Sequence, residues 1–282
     1  MGLTFFDLFA GVGGFRLGME RAGHTCIGSC EWDNNARETY KKNFGSYPKY
    51  DDAKDLQPST LPQFDVLCAG FPCQAFSIAG KRLGFEDTRG TVFFEIARIA
   101  KEKKPRYLLL ENVKGLLSHD KGRTFRTILS TLDEMGYDAE WQLLNSKYFV
   151  PQNRERIFIV GHLRGERTRQ IFPVGELNEQ DDTKKLRQVG NIDTAGNNSL
   201  WGRVYDPSGI AANLNANGGG LGAKTGLYEL DQRIRKLTPV ECERLQGFPD
   251  NWTQGVSDTQ RYKQMGNAVT VPVVEYLARR LE

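Results

Sequence analysis

The hydrophobic positions of the first 160 residues alternate between two patterns. Short apolar runs indicate buried strands, and segments with apolar residues three or four apart indicate amphipathic helices. Glycine and proline close most of these segments, as is typical of helix ends and tight turns. Strands are predicted at residues 3–8, 25–30, 64–69, 107–110, 140–144 and 156–160. Helices are predicted at residues 15–22, 33–43, 93–100 and 125–135.

The regular succession of strand and helix predicts an α/β protein with a doubly wound, mostly parallel sheet. The pattern changes near Gly175, after which Asn, Gly and short apolar pieces predominate. We therefore expect a first domain at 1–175, a smaller loop-rich β domain at 176–236, and a return of the chain to the first domain at 237–282. In the returning segment, Thr270 is the expected cap of a last helix that packs on the sheet.

Composition narrows the classes of protein that fit. The chain has 282 residues, 39% of them hydrophobic, and can bury one large core. Its net charge of +3 permits nucleic-acid binding without singling it out. Five cysteines without paired spacing predict a reducing compartment, no disulfide framework and no metal site. Long apolar runs and signal-peptide features are missing, so we expect a soluble cytoplasmic protein.

A candidate nucleophile follows the third predicted strand. Residues 70–74 read Gly-Phe-Pro-Cys-Gln and close the apolar run at 64–69. This places Cys73 just beyond the carboxyl end of a buried strand, the edge of an open α/β sheet at which ligands bind. A lone cysteine is more often a small buried hydrophobe. Cys68 fits that second interpretation and is assigned no role.

A second candidate site follows the first strand. Residues 11–14 read Gly-Val-Gly-Gly between a predicted strand and helix, where a ligand can approach the backbone closely. The spacing is not the dinucleotide fingerprint, because Arg16 stands where its third glycine would be. Glu31 lies about one strand-helix-strand step later, where a carboxylate can accept hydrogen bonds from both hydroxyls of a ribose. Taken alone, these glycines fit a simple tight turn equally well, and Trp32 fits the core.

Taken together, these stretches resemble the cytosine-C5 DNA methyltransferases. Several motifs occur in the order of that family over nearly the whole chain, so the match does not depend on one residue. The motifs are Asp-Leu-Phe-Ala-Gly-Val-Gly-Gly at 7–14, Gly-Phe-Pro-Cys-Gln at 70–74, Glu-Asn-Val at 111–113, Gln-Asn-Arg-Glu-Arg at 152–156 and Gln-Met-Gly-Asn-Ala-Val at 264–269. The resemblance implies the Rossmann-like fold of the S-adenosylmethionine-dependent methyltransferases, with a target-recognition domain at 176–236.

The resemblance also implies how the catalytic residues act. Carbon 5 of cytosine is a poor nucleophile, and addition of the Cys73 thiolate to C6 makes it reactive toward a methyl donor. Glu111 would bind N3 and the exocyclic amine, and Arg156 would support O2. Arg154 would orient Glu111 or assist at O2. Because C6 cannot be reached inside a stacked duplex, the cytosine must be flipped out.

The implied methyl donor is S-adenosyl-L-methionine. Glu31 and Trp32 would bind its ribose and adenine. Asp52 would contact the adenine amino group, although Asp51 and Asp55 leave that register open. The other implied contacts come from the glycine turn and from the motif near the C-terminus: Phe9, Gly11, Gly13, Asn267 and Val269.

Double-stranded DNA is the implied substrate, and the domain at 176–236 would read a short target site. Arg203 is the candidate for a guanine contact, since a guanidinium can bond O6 and N7 together, but a phosphate contact fits a single arginine as well. Lys224, in a glycine-rich segment, is a candidate for the phosphate backbone. Lys81 and Arg82, in the glycine-spaced stretch after the nucleophile, are further candidates for DNA contacts.

Alternatives to this interpretation are an RNA cytosine-C5 methyltransferase and a catalytically silent DNA-binding protein, although the latter is expected to lose Cys73 or Glu111. A nicotinamide-dependent oxidoreductase fits less well because the glycine spacing differs. Asn213-Leu214 departs from the Thr-Leu pair usual in the family's recognition domain. We expect a monomer, and functional pairing with a restriction endonuclease would fit the family.

Overall fold

The computed structural model describes residues 2–72, 92–174, 185–192, 202–216, 222–230 and 232–281. Its strands are β1 (Thr4–Leu8), β2 (Thr25–Cys30), β3 (Val66–Gly70), β4 (Tyr107–Val113), β5 (Tyr137–Asn145), β6 (Glu155–Leu163), β7 (Gln188–Asn191), β8 (Arg203–Tyr205), β9 (Leu227–Leu230) and β10 (Arg233–Lys236). Its helices are α1 (Gly14–Arg21), α2 (Asn34–Phe44), α3 (Val92–Lys103), α4 (Arg123–Glu134), α5 (Pro239–Leu245), α6 (Asp258–Asn267) and α7 (Val271–Ala278). None of these described helices has the length and apolar character needed to cross a membrane.

The first six strands form one sheet in the order β2-β1-β3-β4-β6-β5. β1 pairs in parallel with both β2 and β3, and β3 pairs in parallel with β4. β6 runs antiparallel between β4 and β5. The predicted α/β class with a mostly parallel sheet is thus confirmed. Since the chain moves first to one side of β1 and then to the other, the carboxyl ends of β1 and β3 border a crevice of the kind that binds ligands.

The sheet is covered on both faces because its central strands are apolar on both sides. Phe5, Val66 and Leu109 belong to one buried cluster, which includes residues of α1 and α7. Phe6 and Leu67, their neighbours along the strands, belong to a cluster on the opposite face, which includes residues of α3 and α4. The strands therefore lie in the middle of a three-layer core.

Strand β4 is longer than predicted and carries Glu111 within it rather than after it. The cause is its antiparallel neighbour β6, which pairs Asn112 with Ile157 and Val113 with Arg156. An isolated pattern of hydrophobic residues cannot show this, because the extra residues are held by backbone pairing. Strand pairing on both sides thus fixes the backbone position of Glu111.

Helix ends mostly follow the signals in the sequence. Asp33 caps α2, since its Oδ1 accepts hydrogen bonds from the amides of Asn35 and Ala36 at 2.9 and 3.1 Å. Thr270 immediately precedes α7 as expected, but its hydroxyl does not cap that helix. The hydroxyl bonds Gln246 Oε1 at 3.0 Å instead, which ties the start of α7 to the end of α5.

Strands β7 to β10 form a second sheet in the order β10-β9-β8-β7. These strands and the residues between them, here called the second unit, lie within the range 176–236. Tyr205 and Tyr228 of this sheet share an apolar cluster with Val12 of the glycine turn and Met265 of α6. Helix α7 returns to pack beside α1. The second unit is therefore attached to the main body through a common core.

A carboxyl group is buried in the middle of β1. Asp7 has no exposed surface. Its Oδ2 accepts a hydrogen bond from the Arg16 amide at 3.2 Å, and its Oδ1 has no partner among the described residues. Burial raises the pKa of Asp7 to about 8, and the backbone and charge of Arg16 offset only part of that rise.

The pKa of Asp7 gives a prediction for stability against pH. The folded pKa lies above the unfolded value of about 3.9. The stability that this group contributes to the folded state is therefore fully present below about pH 4. It is then lost as the pH rises toward about 8. Asp7→Asn keeps an oxygen acceptor and has no charge to bury. We therefore expect the free energy of unfolding of the variant, measured with denaturant, to rise relative to that of the wild type. The rise should be about 2–4 kcal/mol between about pH 5 and 8. Parallel pH profiles for the two proteins would contradict this.

Candidate active site

A cavity of about 440 Å³ lies at the carboxyl ends of β1, β3 and β4. This one cavity is lined both by candidates for binding the methyl donor and by candidates for catalysis. From the glycine turn, the end of β2 and the chain between α6 and α7 come Phe9, Gly11, Glu31, Trp32, Asn267 and Val269. From the chain around β3, β4 and the start of β6 come Phe71, Pro72, Glu111, Arg154 and Arg156. The fold thus brings together candidate donor-binding and candidate catalytic side chains that are far apart in sequence.

The glycine turn after β1 contains three residues with positive φ. Phe9, Gly11 and Gly13 have φ angles of 62°, 54° and 86°, a region that L side chains rarely adopt. The Gly13 amide donates to the Ala10 carbonyl at 2.8 Å and closes the turn before α1. A Cβ at Gly13 would lie 2.2 Å from the Phe44 ring, whereas a Cβ at Gly11 would meet no atom within 4 Å. Packing therefore requires Gly13, while Gly11 faces open space in the cavity wall.

Glu31 is held at the cavity by two backbone amides. Its Oε2 accepts a hydrogen bond from the Gly11 amide at 2.7 Å, and its Oε1 accepts one from the Asp33 amide at 2.8 Å. Burial raises the pKa of Glu31, and the hydrogen bonds from Asp33 and Gly11 oppose that rise. The adjacent Trp32 is 72% exposed despite its large apolar ring. A carboxylate and an exposed aromatic ring thus face the same cavity.

Glu111 and Arg156 form an ion pair across β4 and β6. Arg156 Nε lies 3.1 Å from Glu111 Oε1, and the two side chains are only 13% and 12% exposed. Gly70 of β3 pairs with Glu111, and a Cβ at Gly70 would lie 3.5 Å from Glu111 Oε2. An ion pair with so little solvent exposure is weakly screened, so it restrains the position of the carboxyl group. The other carboxylate oxygen lies beside the end of β3.

Arg154 makes its hydrogen bonds to other segments rather than to this ion pair. Its side chain is 1% exposed, and its guanidinium donates to four oxygen atoms in other segments. Nη1 bonds Asn213 Oδ1 and the Leu214 carbonyl, each at 3.2 Å. Nη2 bonds the carbonyls of Gly266 and Ala268 at 3.1 and 2.8 Å. The two arginines of the Arg-x-Arg motif therefore differ, because one binds the cavity carboxylate and the other binds two neighbouring segments.

Three other donor-site candidates differ in their surroundings. Asp52 is exposed, accepts a hydrogen bond from the Lys54 amide at 3.0 Å, and is not among the residues that line the cavity. Asn267 is the exposed last residue of α6 and lines the cavity. Val269 is buried, and its Cγ1 would lie 2.8 Å from a Cβ at Gly14. The C-terminal motif thus packs directly on the glycine turn.

The two candidates for DNA contact that the structure describes are not at the cavity. Arg203 is the first residue of β8, and Lys224 lies in the turn that precedes β9. Neither lines the cavity. Cys73, Lys81 and Arg82 lie outside the described residues. The residue before Cys73 is at the cavity wall, so the described chain leads up to the candidate nucleophile.

Sequence reasoning missed three side chains of α6 that line the cavity, namely those of Gln260, Lys263 and Gln264. Lys263 Nζ lies 2.8 Å from Asp33 Oδ2. Gln264 Oε1 accepts a hydrogen bond from the Thr39 hydroxyl at 3.0 Å. These contacts join α6 to α2 beside the donor-site candidates. With the last residue of α6, the three recur at the three- and four-residue spacing of one helix face, a signal that is visible in the sequence.

Comparison with known proteins agrees with this geometry. A family profile described as C-5 cytosine-specific DNA methylase matches residues 3–206 and 208–282. The Type II methyltransferase M.HhaI of Haemophilus parahaemolyticus is 41% identical over 311 residues, covering 98% of this chain and 93% of its own. The Type II methyltransferase M.NgoBI of Neisseria gonorrhoeae is 44% identical over 290 residues, covering 95% of this chain and 90% of its own.

Solved structures share the fold. The Dnmt2 methyltransferase of S. pombe gives a TM-score of 0.75 at 20% identity, covering 98% of this chain and 97% of that chain. A putative DNA modification methyltransferase encoded within a prophage of E. coli gives 0.63 at 22% identity, covering 99% and 98%. At these identities the likeness concerns the fold alone. Since the profile matches nearly the whole chain and relatives exceed 40% identity, this chain belongs to the C-5 cytosine-specific DNA methylase family and is a DNA cytosine methyltransferase.

Proposed function

We propose that the protein transfers a methyl group from S-adenosyl-L-methionine to C5 of a cytosine flipped out of double-stranded DNA at a short target sequence. The step proceeds through a covalent bond between Cys73 and C6 of the base. The observation that carries this proposal is the shared cavity. A methyl group can pass directly between two molecules only if both bind in one space, and here members of both groups of candidate residues, among them Glu31 and Glu111, line the same cavity.

The residues of the donor half fit an adenosyl compound. The Glu31 carboxylate has acceptor capacity left for ribose hydroxyls after its two amide bonds. The exposed Trp32 ring offers a stacking face for adenine. The space beside Gly11 allows a ligand to approach the backbone. When bound, S-adenosyl-L-methionine supplies a methyl group activated by its sulfonium charge. Phe9, Gly13, Asp52, Asn267 and Val269 complete the proposed donor contacts.

The residues of the base half fit a cytosine ring. In the proposed step, the Cys73 thiolate forms a bond to C6, and C5 attacks the methyl carbon, whose bond to sulfur breaks. Loss of the C5 proton and elimination of the thiolate then restore the ring. Glu111 binds N3 and the exocyclic amine, and its ion pair with Arg156 keeps the carboxyl group in place. Arg156 also supports O2. Arg154 contributes by position, since its hydrogen bonds go to neighbouring segments.

Target recognition is assigned to the second unit and to the stretch after the nucleophile. Arg203 is the proposed guanine contact, because its guanidinium can bond two acceptors of one base. Lys224, Lys81 and Arg82 are the proposed phosphate contacts. The relatives named as Type II methyltransferases also support functional pairing with a restriction endonuclease. A monomer is part of the proposal.

The first test is base-resolution mapping of 5-methylcytosine in DNA incubated with the purified protein and S-adenosyl-L-methionine. We expect methylation confined to one short motif. Cys73→Ser should lose turnover by at least about a thousandfold, since a hydroxyl is a far weaker nucleophile, while DNA binding remains. Full turnover by this variant would exclude the covalent adduct. Methylation of RNA in place of DNA would exclude the proposed substrate.

The second test concerns the ion pair. Glu111→Gln keeps the shape of the side chain but cannot exchange a proton with the base, so single-turnover methyl transfer should fall by about 10²–10⁴-fold. Glu155→Gln is the matched control. Glu155 is the neighbour of Arg156 and pairs with the exposed Lys114 at 2.9 Å, so its loss should change the rate by less than about threefold. Equal losses in the two variants would argue against a catalytic role for Glu111.

The third test compares two glycines of one turn. Gly13→Ala places a methyl group against Phe44 and should lower the unfolding free energy by about 2–4 kcal/mol. The Cβ of Gly11→Ala meets no atom, so this variant should lower the unfolding free energy by only about 1 kcal/mol. Its methyl group should nevertheless weaken S-adenosyl-L-methionine binding at least about tenfold by calorimetry. Wild-type donor affinity in Gly11→Ala would refute the assignment of this space to the donor.

A further inference from the structure

Residues 211–216 of the second unit, here called the linking segment, lie between two parts of the main body. On one side, the Ala211 amide donates to the Pro151 carbonyl at 2.8 Å, and the Asn153 amide donates to the Ala211 carbonyl at 2.9 Å. On the other side, a Cβ at Gly266 would lie 2.2 Å from the Ala216 nitrogen. The linking segment is thus packed against the end of α6 without room for a side chain at Gly266.

Arg154 joins the linking segment to the chain that lines the cavity. One edge of its planar guanidinium binds Asn213 and Leu214, and the other edge binds the carbonyls of Gly266 and Ala268. Those two carbonyls flank the peptide unit of Asn267, which lines the cavity. Because the guanidinium is rigid, it cannot keep all of these hydrogen bonds if one pair of acceptors moves without the other.

The surroundings of Arg154 are unusual for a purely structural arginine. Its four acceptors are neutral oxygens, and its Nε has no partner among the described residues. Burial, together with the charge of Arg156, lowers the pKa of Arg154 to about 9, and the charge of Glu111 opposes that fall. A buried charge paired only with neutral groups reduces stability, so its presence favours a role in function.

We propose that Arg154 is a positioning residue that couples DNA binding by the second unit to binding of the methyl donor. DNA that orders the linking segment also orders residues 266–269 through this guanidinium, so the donor then binds to a wall that is already in place. By thermodynamic reciprocity, the donor must raise DNA affinity by the same factor. The proposal rests on the proposed function, because it assigns residues 266–269 to the donor site.

Asn213 allows a test that leaves Arg154 itself intact. Asn213→Ala removes one of the four acceptors of the guanidinium. Asn213→Asp keeps an acceptor oxygen at the same place. Asn215→Ala is the matched control, since it removes the bond from Asn213 Nδ2 to Asn215 Oδ1 at 3.2 Å and leaves all acceptors of Arg154.

The measurement is calorimetric titration of S-adenosyl-L-homocysteine into each protein, with and without a duplex carrying the mapped methylation motif. In the wild type, the duplex should tighten binding by about 5–50-fold. Asn213→Ala should reduce this factor at least about threefold, since a hydrogen bond to a charged group is lost. Asn213→Asp and Asn215→Ala should keep the wild-type factor.

Each contrary result has a distinct meaning. If Asn213→Ala weakens binding equally with and without DNA, its role is structural and the proposed coupling is wrong. A wild-type factor of one would also overturn the coupling, while leaving the proposed donor in place. Failure of S-adenosyl-L-homocysteine to bind the wild type in both titrations would overturn the proposed donor, and the coupling with it.

Discussion

The parallel pairing of β1 with β3 is the constraint on which the site depends. The register runs from Phe5 opposite Val66 to Leu8 opposite Ala69, and β4 continues the sheet on the other side of β3. Neighbouring parallel strands end at one edge, so the glycine turn, the residues after β3 and the Glu111 carboxyl group must meet there. A slip of one residue would exchange the two core faces of β1 and separate these groups.

Apolar runs that end in glycine or proline were sufficient to predict the main strands and the α/β class, because both signals are local. The place of Glu111 inside β4 was not predictable in this way, since it results from pairing with β6. The same holds for Arg154, because an Arg-x-Arg motif does not reveal which arginine reaches the carboxylate. The direction of the Arg154 side chain depends on its bonds to Asn213 and Gly266, which come close to it only after the chain has folded. The lining face of α6 could have been predicted from its helical spacing.

Buried charge is used in several ways around the cavity. Glu31 is stabilised by backbone amides, Glu111 by an ion pair, and Arg154 by neutral oxygens. Replacing such groups with apolar side chains of similar size often leaves stability unchanged or improves it. Their retention here is consistent with a site in which fixed geometry has been favoured over maximal stability. Asp7 differs from these groups, because its pKa of about 8 leaves it mostly uncharged at neutral pH and its carboxyl accepts one hydrogen bond among the described residues.

The apolar cluster shared by the second sheet and the main body limits which segments could replace the second unit. Tyr205, Leu214 and Tyr228 pack with Val12 and Met265. A second unit transplanted from a relative would have to reproduce these volumes, or it would leave cavities or clashes beneath the glycine turn. Recombination that preserves residues 211–216 and replaces only the outward-facing parts avoids that conflict. Natural crossover points are therefore expected inside the second unit rather than at its ends.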